Sequence, residues 1–263
     1  MINVRAKKGL GQHFLKDESI AKRIVDSLVL SQTAQTQVLE IGPGTGVLTK
    51  YLLANPQIKL EVAEIDTESI EYLRSTYTHL LYSIQQRDFL TIELSEIFKG
   101  EFSIIGNFPY NISSQIFFKV LDYKEQVPQV VCMLQKEVAE RLASPPGNKS
   151  YGILSVLLQA WYNIEYLFTV NENVFVPPPK VKSGVIRLTR NSRIDLDCDQ
   201  ALFKQIIKTC FNQRRKTIRN SIKPLTSALG ITLPNNHLFD MRPEQLSVEQ
   251  FVVLTKLYME QLP

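Results

Sequence analysis

Gln37-Val38-Leu39-Glu40-Ile41 runs directly into Gly42-Pro43-Gly44-Thr45-Gly46, so an apolar strand is followed at once by a glycine loop. Helical periodicity follows at residues 48–54. This order lets the backbone and a helix N-terminus receive a nucleotide-like ligand, although a plain tight turn is the alternative. The glycines are spaced Gly-x-Gly-x-Gly, and the acidic Glu40 precedes them. Because a carboxylate repels a pyrophosphate, we expect a ligand that carries an ammonium and a sulfonium.

Strand-like and helix-like segments alternate around this loop, from about residue 37 to residue 143. Strands are predicted at 37–41, 59–65, 82–86, 102–106 and 129–134, and helices at 48–54, 67–76, 113–121 and 135–143. Parallel strands joined by helices use right-handed crossovers and hold ligands at their carboxyl ends. The sequence therefore predicts an α/β fold with an open, doubly wound sheet.

The pattern changes after residue 143. The polar stretch 144–152 is typical of a mobile loop. A helix at 153–160 and two strands, around 162–170 and 185–189, follow it. From about Asn191 only helical periodicity remains, at 199–219, 223–229 and 247–261. We therefore predict two domains, 1–190 and 191–263, of which the second is small and all-helical.

Composition is that of a soluble globular protein. The 263 residues include 30 Lys+Arg and 26 Asp+Glu, and this balance only hints at a polyanionic partner. No run approaches the roughly 18 to 20 apolar residues of a membrane span, and no signal-peptide core follows the N-terminus. Cys132, Cys198 and Cys210 fit neither a disulfide framework nor a metal site. We expect a cytoplasmic protein with no membrane contact and no metal.

Acidic side chains stand at the ends of the second and third predicted strands. Glu64 and Asp66 come about 20 residues after the glycine loop, where a carboxylate can accept from ribose hydroxyls. Position favours Glu64, with Asp66 as the alternative. Asp88 can accept from an adenine amino group, with Phe89 or Ile65 against the ring. Each carboxylate alone also fits a solvated strand end or a turn, but the three together favour a ligand site.

Asn107-Phe108-Pro109-Tyr110 follows the fourth predicted strand. An exocyclic amino nitrogen is a poor nucleophile because its lone pair is delocalised into the base. Hydrogen bonds to the Asn107 side-chain oxygen and the carbonyl of Phe108 or Pro109 would localise that lone pair toward a methyl group. Tyr110 can stack on a base taken out of its helix. We predict methyl transfer to a nucleobase with Asn107, Pro109 and Tyr110 as catalytic residues; a plain Asn-Pro turn is the alternative.

The chain resembles the ribosomal RNA adenine dimethyltransferases over nearly its whole length. The resemblance rests on the segments 9–15, 40–46, 107–113, 175–183 and 211–220. It implies a Rossmann-like class I methyltransferase sheet in domain 1–190, with S-adenosyl-L-methionine as the cofactor. It also implies that the helical domain 191–263 binds RNA.

Roles for individual residues follow from the same resemblance. The cofactor-binding residues would be His13 and Leu15 at the methionine end, Gly42 in the loop, Glu64 and Asp88 at the ribose and adenine, and Asn107 between methyl donor and target. Phe175 would stack on the target adenine from the side opposite Tyr110. His13 stands where many relatives have Asn, and Phe108 where many have Leu.

Two branches of the family act on different RNAs, the 3′-terminal hairpin of small-subunit rRNA or large-subunit rRNA. Seven basic residues and no acidic one lie from Lys204 to Lys223, and such a surface can neutralise phosphates. A solvated helix face is the alternative interpretation. Together with 241–246, the basic run resembles the small-subunit group. The predicted RNA-binding residues are Arg214, Arg215, Lys216 and Arg219.

We therefore expect dimethylation of two adjacent adenines in the terminal hairpin of 16S rRNA. The substrate would be an immature pre-30S small subunit, and the enzyme a monomer with a role in ribosome biogenesis. Arg5, Lys7 and Lys8 would form a second, flexible RNA contact. The alternatives are methylation of large-subunit rRNA and a non-catalytic assembly or transcription factor. The intact Asn107, Pro109 and Tyr110 argue against the second alternative.

Overall fold

The computed structural model describes residues 4–81 and 83–262. It divides into two compact units. The first unit comprises the chain up to Glu140 together with Asn163–Arg190, and the second comprises Arg141–Tyr162 together with the chain from Asn191. Within the described ranges, every helix is too short or too polar to cross a membrane.

A seven-stranded sheet organises the first unit. The described strands are β1 (Phe14–Leu15), β2 (Thr36–Ile41), β3 (Ile58–Glu64), β4 (Ile84–Gln86), β5 (Ser103–Asn107), β6 (Gln129–Gln135), β7 (Tyr162–Val170), β8 (Phe175–Val176) and β9 (Ser183–Arg190). The large sheet has the order β4-β3-β2-β5-β6-β9-β7, and β1 pairs with β8 in a separate two-stranded ribbon. Strands β2 to β6 form parallel pairs, whereas β9 is antiparallel to β6. The predicted α/β class is confirmed, with Tyr82 of the predicted strand 82–86 outside the described residues.

Helices connect these strands and form most of the second unit. The described α-helices are α1 (Glu18–Val25), α2 (Thr49–Leu53), α3 (Thr67–Thr76), α4 (Leu94–Ile97), α5 (Ser113–Asp122), α6 (Lys136–Leu142), α7 (Ile153–Gln159), α8 (Gln200–Asn212), α9 (Ile218–Ser221), α10 (Lys223–Leu229) and α11 (Val248–Met259). Apolar side chains on both faces of β2 and β3 are buried, as expected of parallel strands covered on both sides.

The prediction of one helix over 199–219 is wrong. Helix α8 ends at Asn212, and α9 begins at Ile218 after an extended Thr217. The N–H of Ile218 donates to the carbonyl of Met241 at 2.8 Å, so a contact distant in sequence replaces the bond that a continuous helix would make. Helical periodicity does not reveal such a break because it records only which face is apolar.

The segment Arg141–Tyr162 clusters with the C-terminal helices, although the sequence placed it in the first predicted domain. Within this second unit, Phe211 packs between Tyr151 and Phe251, with ring centroids 6.3 and 6.1 Å away. The assignment of methyl transfer to 1–190 and RNA binding to 191–263 remains a prediction. The three cysteines are unpaired thiols, two of them buried.

Candidate functional site

A cavity opens in the first unit where β2, β3 and β5 end. Its walls come from five stretches of chain: 10–15, 40–48, 63–65, 87–89 and 107–112. The carboxyl ends of parallel strands meet at one edge of a sheet, which explains why segments distant in sequence converge there. His13, Leu15, Gly42, Glu64, Asp88, Asn107, Pro109 and Tyr110 of the predicted site all lie on this wall.

The glycine loop 42–46 turns sharply between β2 and α2. Gly42 and Gly44 have φ angles of +63° and +56°, which favour glycine because other residues lack an easy left-handed conformation. A Cβ on Gly44 would lie 2.7 Å from the Phe14 ring, whereas a Cβ on Gly42 would meet no atom within 4 Å. Gly44 is therefore needed for packing, and Gly42 leaves open space for a ligand.

Glu40, at the start of the loop, is fully enclosed. Its carboxyl group accepts a 2.7 Å hydrogen bond from the Thr49 hydroxyl of α2. Burial raises the pKa of Glu40 to about 8, although the Thr49 bond lowers it, and the nearby Glu64 raises it further. The sequence argument that Glu40 presents a charge thus needs correction, because a pKa of about 8 makes the protonated form dominant at pH 7. A cation in the cavity would favour the ionised form.

The two acidic residues at the end of β3, Glu64 and Asp66, have different surroundings in the structure. Glu64 lines the cavity and accepts backbone N–H bonds from Gly44 at 3.2 Å, Ile65 at 2.8 Å and Asp66 at 2.9 Å. Burial raises the pKa of Glu64, and these N–H donors lower it in part. Glu64 therefore ties the glycine loop to the strand end that faces the ligand space.

Asp66 is occupied elsewhere and does not line the cavity. It forms an ion pair with Lys7 and accepts from the Ser69 hydroxyl at 2.7 Å and from Gln12 at 3.4 Å. Burial raises the pKa of Asp66, but the bonds from Lys7, Ser69 and Gln12 outweigh this and hold it below its usual value. Because Lys7 is bound in this way, the predicted flexible RNA contact of the N-terminus cannot use it freely.

Asp88 stands at the start of a short 3₁₀ turn, where its carboxylate accepts from the Leu90 N–H at 2.9 Å. Phe89 and the half-exposed Ile65 line the cavity beside it. Lys119 of α5 holds this turn, because its ammonium donates to the carbonyls of Phe89 at 2.8 Å, Leu90 at 3.2 Å and Ile92. Sequence reasoning missed Lys119, and no local pattern marks a lysine that bonds carbonyls about 30 positions away.

Asn107 is oriented by the N-terminal segment. Its Nδ2 donates to the His13 carbonyl at 2.9 Å, so its Oδ1 remains available as an acceptor. The Pro109 carbonyl already accepts from the Ile112 N–H at 3.2 Å. Within the described ranges no N–H or O–H group donates to the Phe108 carbonyl. Of the two backbone acceptors that the sequence left open, Phe108 is the one that accepts no other hydrogen bond within the described ranges.

Tyr110 is held at both ends of its side chain. Its hydroxyl lies 2.7 Å from the Ser183 hydroxyl, and its ring stacks on the His13 ring with centroids 5.6 Å apart. His13 Nδ1 is in turn 2.8 Å from the Pro177 carbonyl oxygen. Burial raises the pKa of Tyr110. Ser183 was missed as a site residue, although it closes the segment 175–183 that carried the family resemblance.

Phe175, which the sequence predicts to stack on the target adenine, is buried in the structure. This side chain is only 2 % exposed, packs in the core of the first unit and is absent from the cavity wall. It faces Leu15 across the β1–β8 ribbon, whereas its neighbour Val176 is 54 % exposed. Because side chains alternate between the two faces of a strand, Phe175 lies on the buried face of the ribbon, and its stacking on the target adenine stays a prediction.

The predicted RNA-binding residues of the second unit do not form one uniform surface. Arg214 donates to the carbonyls of Asn148 at 3.4 Å and Lys149 at 2.5 Å. Arg219 donates to Asp240 at 3.0 Å. Arg215 and Lys216 are exposed. Arg214 and Arg219 thus form hydrogen bonds within the protein, and the basic run of the sequence alone does not show these bonds.

Comparison with known proteins points to one family. The family model described as ribosomal RNA adenine dimethylase matches residues 3–260. The chain is 60 % identical to a ribosomal RNA small subunit methyltransferase A of Parabacteroides distasonis, over 98 % of this chain and 96 % of that protein. It is 57 % identical to a protein of the same name from Flavobacterium johnsoniae, over 97 % of each chain.

Solved structures share the fold. A dimethyladenosine transferase from Plasmodium falciparum superposes with a TM-score of 0.75 at 24 % identity, covering 94 % of this chain and 97 % of that one. The 23S rRNA methyltransferase ErmE superposes with a TM-score of 0.67 at 23 % identity, covering 92 % and 99 %. At these identities the likeness concerns the fold alone.

Proposed function

This chain belongs to the ribosomal RNA adenine dimethylase family, and we propose that it dimethylates two adjacent adenines in the 3′-terminal hairpin of 16S rRNA. Family membership makes it a methyltransferase whose methyl donor is S-adenosyl-L-methionine. The proposal adds the two adenines, the hairpin, an immature pre-30S subunit as substrate and a monomeric enzyme. The names of the relatives at 55–60 % identity support the small-subunit substrate.

The cavity has hydrogen-bond acceptors and apolar side chains that suit this cofactor. Glu64 and Asp88 line the cavity, where carboxylates can accept from hydroxyl and amino groups, and Glu40 lines it too and would ionise beside a bound ammonium. Phe89 and Ile65 supply apolar contact for an adenine ring. The space above Gly42 lets a ligand approach the backbone. When bound, S-adenosylmethionine supplies an electrophilic methyl group.

The single observation that carries the proposal is the orientation of Asn107. The His13 carbonyl takes the amide N–H, so Oδ1 is left to accept from a target amino group. The Phe108 carbonyl provides a second acceptor beside it. Two such acceptors fix the direction of the nitrogen lone pair, and this contribution to catalysis is one of positioning. The proton on nitrogen becomes acidic once the methyl group has transferred, so the site needs no strong base.

The two alternatives from the sequence predict different labelled products. Methylation of large-subunit rRNA would place label in that RNA. A non-catalytic assembly or transcription factor would place label neither in large-subunit rRNA nor in small-subunit rRNA. Tritiated S-adenosylmethionine is therefore offered to undermethylated small subunits and, separately, to protein-free large-subunit rRNA. We expect dimethyladenosine in small-subunit RNA alone, detected by nucleoside analysis.

The Asn107→Ala variant tests the role of Asn107 in the same assay. We expect it to lower kcat/KM on the order of 10²-fold while binding of RNA persists. Full turnover by Asn107→Ala would show that Asn107 has no catalytic role. Label in large-subunit RNA would instead transfer the chain to the other substrate branch.

A further inference from the structure

Four lysines in the segments 4–16 and 173–190 of the first unit have no charge partner. They are exposed, and no described residue forms a hydrogen bond or an ion pair with their ammonium groups. We call them the lysine rim; they are Lys8, Lys16, Lys180 and Lys182. Other lysines nearby differ, because Lys7 pairs with Asp66 and Lys136 pairs with Glu140. The rim is therefore positive charge that the fold leaves uncompensated.

The lysine rim belongs to chain segments that line or adjoin the end of the cavity where Tyr110 lies. Lys182 adjoins Ser183, whose hydroxyl meets that of Tyr110 at 2.7 Å. Lys180 is three residues beyond Pro177, whose carbonyl oxygen is 2.8 Å from the His13 ring. Lys8 begins the 3₁₀ turn that leads into the wall at 10–15, and Lys16 follows β1 of the ribbon. Each rim lysine is thus only a few residues from a group that surrounds the proposed base site.

The two segments that contain the rim lysines have basic residues but no acidic ones. Residues 4–16 and 173–190 contain no Asp or Glu. Between the lysines the surface is apolar, with Val176 54 % exposed and Val181 45 % exposed. A polyanion whose bases or sugars can contact apolar side chains matches this combination better than a small anion or an acidic peptide.

We infer that the lysine rim binds the backbone phosphates of the single-stranded nucleotides that flank the target adenine. This inference rests on the proposed function, because it assumes that RNA delivers the base to Tyr110. A base that leaves its stack needs its neighbours held in place, and phosphate contacts supply such positioning without reading sequence. The RNA-binding residues predicted at 214–219 lie in the second unit, and the predicted N-terminal contact included Lys8 of the first unit; the rim adds Lys16, Lys180 and Lys182 of the unit that holds the cavity.

The test compares two variants with the same loss of charge. The rim variant is Lys180→Gln with Lys182→Gln. The control is Lys59→Gln with Lys99→Gln, because both lysines are exposed. Lys59 lies at the start of β3 and Lys99 precedes β5, at the ends of these strands opposite the cavity. The probe is a fluorescein-labelled RNA hairpin with two adjacent unmethylated adenines, and anisotropy gives its Kd at several salt concentrations.

We expect the rim variant to raise the Kd about tenfold near 0.1 M salt and to reduce the slope of log Kd against log salt by about 1.4, or 0.7 for each lost single-strand phosphate contact. Binding of S-adenosylhomocysteine, measured by calorimetry, stays unchanged and shows that the cavity is intact. A photoreactive p-benzoylphenylalanine at Val181 should cross-link to nucleotides beside the target adenines. Equal effects of the rim and control variants would overturn the inference.

Failure of the proposed function has a separate signature. If the wild-type protein binds the hairpin with a steep salt slope that the rim variant reduces, yet transfers no methyl group to it or to small subunits, the inference stands and the proposed reaction falls. If methyl transfer proceeds and the rim variant binds like the control, the proposed reaction stands and the rim assignment falls.

Discussion

At the scale of single residues, the site depends on hydrogen bonds that orient Asn107 and Tyr110. His13 contributes its carbonyl to Asn107, and Ser183 contributes its hydroxyl to Tyr110. Both helpers come from segments that the sequence had marked as family motifs. Sequence reasoning assigned Asn107 and Tyr110 directly to the chemistry, but the groups that orient them are visible only in three dimensions.

The bond between Tyr110 and Ser183 predicts coupled effects. Ser183→Ala leaves the Tyr110 hydroxyl without its buried partner, so the ring loses its fixed orientation. We expect kcat/KM for RNA to fall roughly three- to tenfold, in line with about 0.5–1.5 kcal/mol for one hydrogen bond. Tyr110→Phe combined with Ser183→Ala should then cost less than the sum of the single changes. Strict additivity in this double-mutant cycle would mean that the bond does not position the ring.

Glu40 predicts a dependence of stability on pH. Its pKa is raised from 4.5 to about 8 in the folded protein, so between these values the folded state holds a proton that the unfolded state releases. Its contribution to stability is therefore complete below about pH 4.5 and is lost as pH rises toward 8. The loss is at most about 1.4 kcal/mol per pH unit.

Glu40→Gln removes this titration and is the matched variant. Denaturant unfolding from pH 5 to pH 8 should show the variant gaining stability relative to the wild type as pH rises. Parallel stability curves for the two proteins would indicate that Glu40 titrates near its ordinary pKa.

At the scale of elements, α5 does more than connect β5 to β6. It carries Lys119, whose ammonium donates to three carbonyl groups around the turn that presents Asp88 and Phe89. Burial lowers the pKa of Lys119, while Glu93, Asp88 and Asp122 raise it in part. A helix of the sheet thus fixes the geometry of a cavity wall.

Lys119→Met should therefore weaken binding of S-adenosylhomocysteine. We expect a roughly 5- to 30-fold rise in Kd by calorimetry, since about 1–2 kcal/mol follows the loss of charged hydrogen bonds. A positioning role predicts that KM for S-adenosylmethionine rises while kcat at saturation changes little. Lys99→Met, which removes an exposed lysine bonded to one carbonyl, is the control. Equal Kd values for the two variants would contradict the role of Lys119.

The break between α8 and α9 belongs to the same scale. Sequence periodicity continued through 213–217, but the bond from Ile218 to Met241 ends that continuity. By contrast, strands β2, β3, β5 and β6 agree with their predicted ranges to within one or two residues. Apolar segments bounded by glycine or polar residues mark a strand in the local sequence. A helix break that depends on a residue distant along the chain, such as Met241, leaves no local mark.

At the scale of the whole molecule, basic charge is distributed over both compact units. In the second unit Arg214 bonds backbone carbonyls of the loop 144–152, while Arg215 is exposed. In the first unit the lysine rim is unpaired. The basic run of the sequence therefore contains both structural residues and residues able to meet a polyanion.

This distinction predicts different outcomes for neighbouring arginines. Arg215→Glu should raise the Kd for the RNA hairpin several-fold and flatten its salt slope, with the thermal unfolding midpoint nearly unchanged. Arg214→Ala should lower that midpoint by several degrees, because two backbone carbonyls lose their donor. Anisotropy and calorimetry on the same preparations measure both quantities. No change in RNA affinity for Arg215→Glu would remove this residue from the predicted RNA-binding set.

The sequence by itself determined the α/β class, the position of the glycine loop, the tetrapeptide 107–110 and the family. These follow from local properties, namely apolar periodicity, turn requirements and short motifs. Only the tertiary structure decided that Glu64 rather than Asp66 lines the cavity, that Asn107 presents its oxygen, that Phe175 is buried and that Arg214 is bonded internally. Each of these depends on a partner distant along the chain, such as the 94 positions between His13 and Asn107, and folding alone brings those partners together.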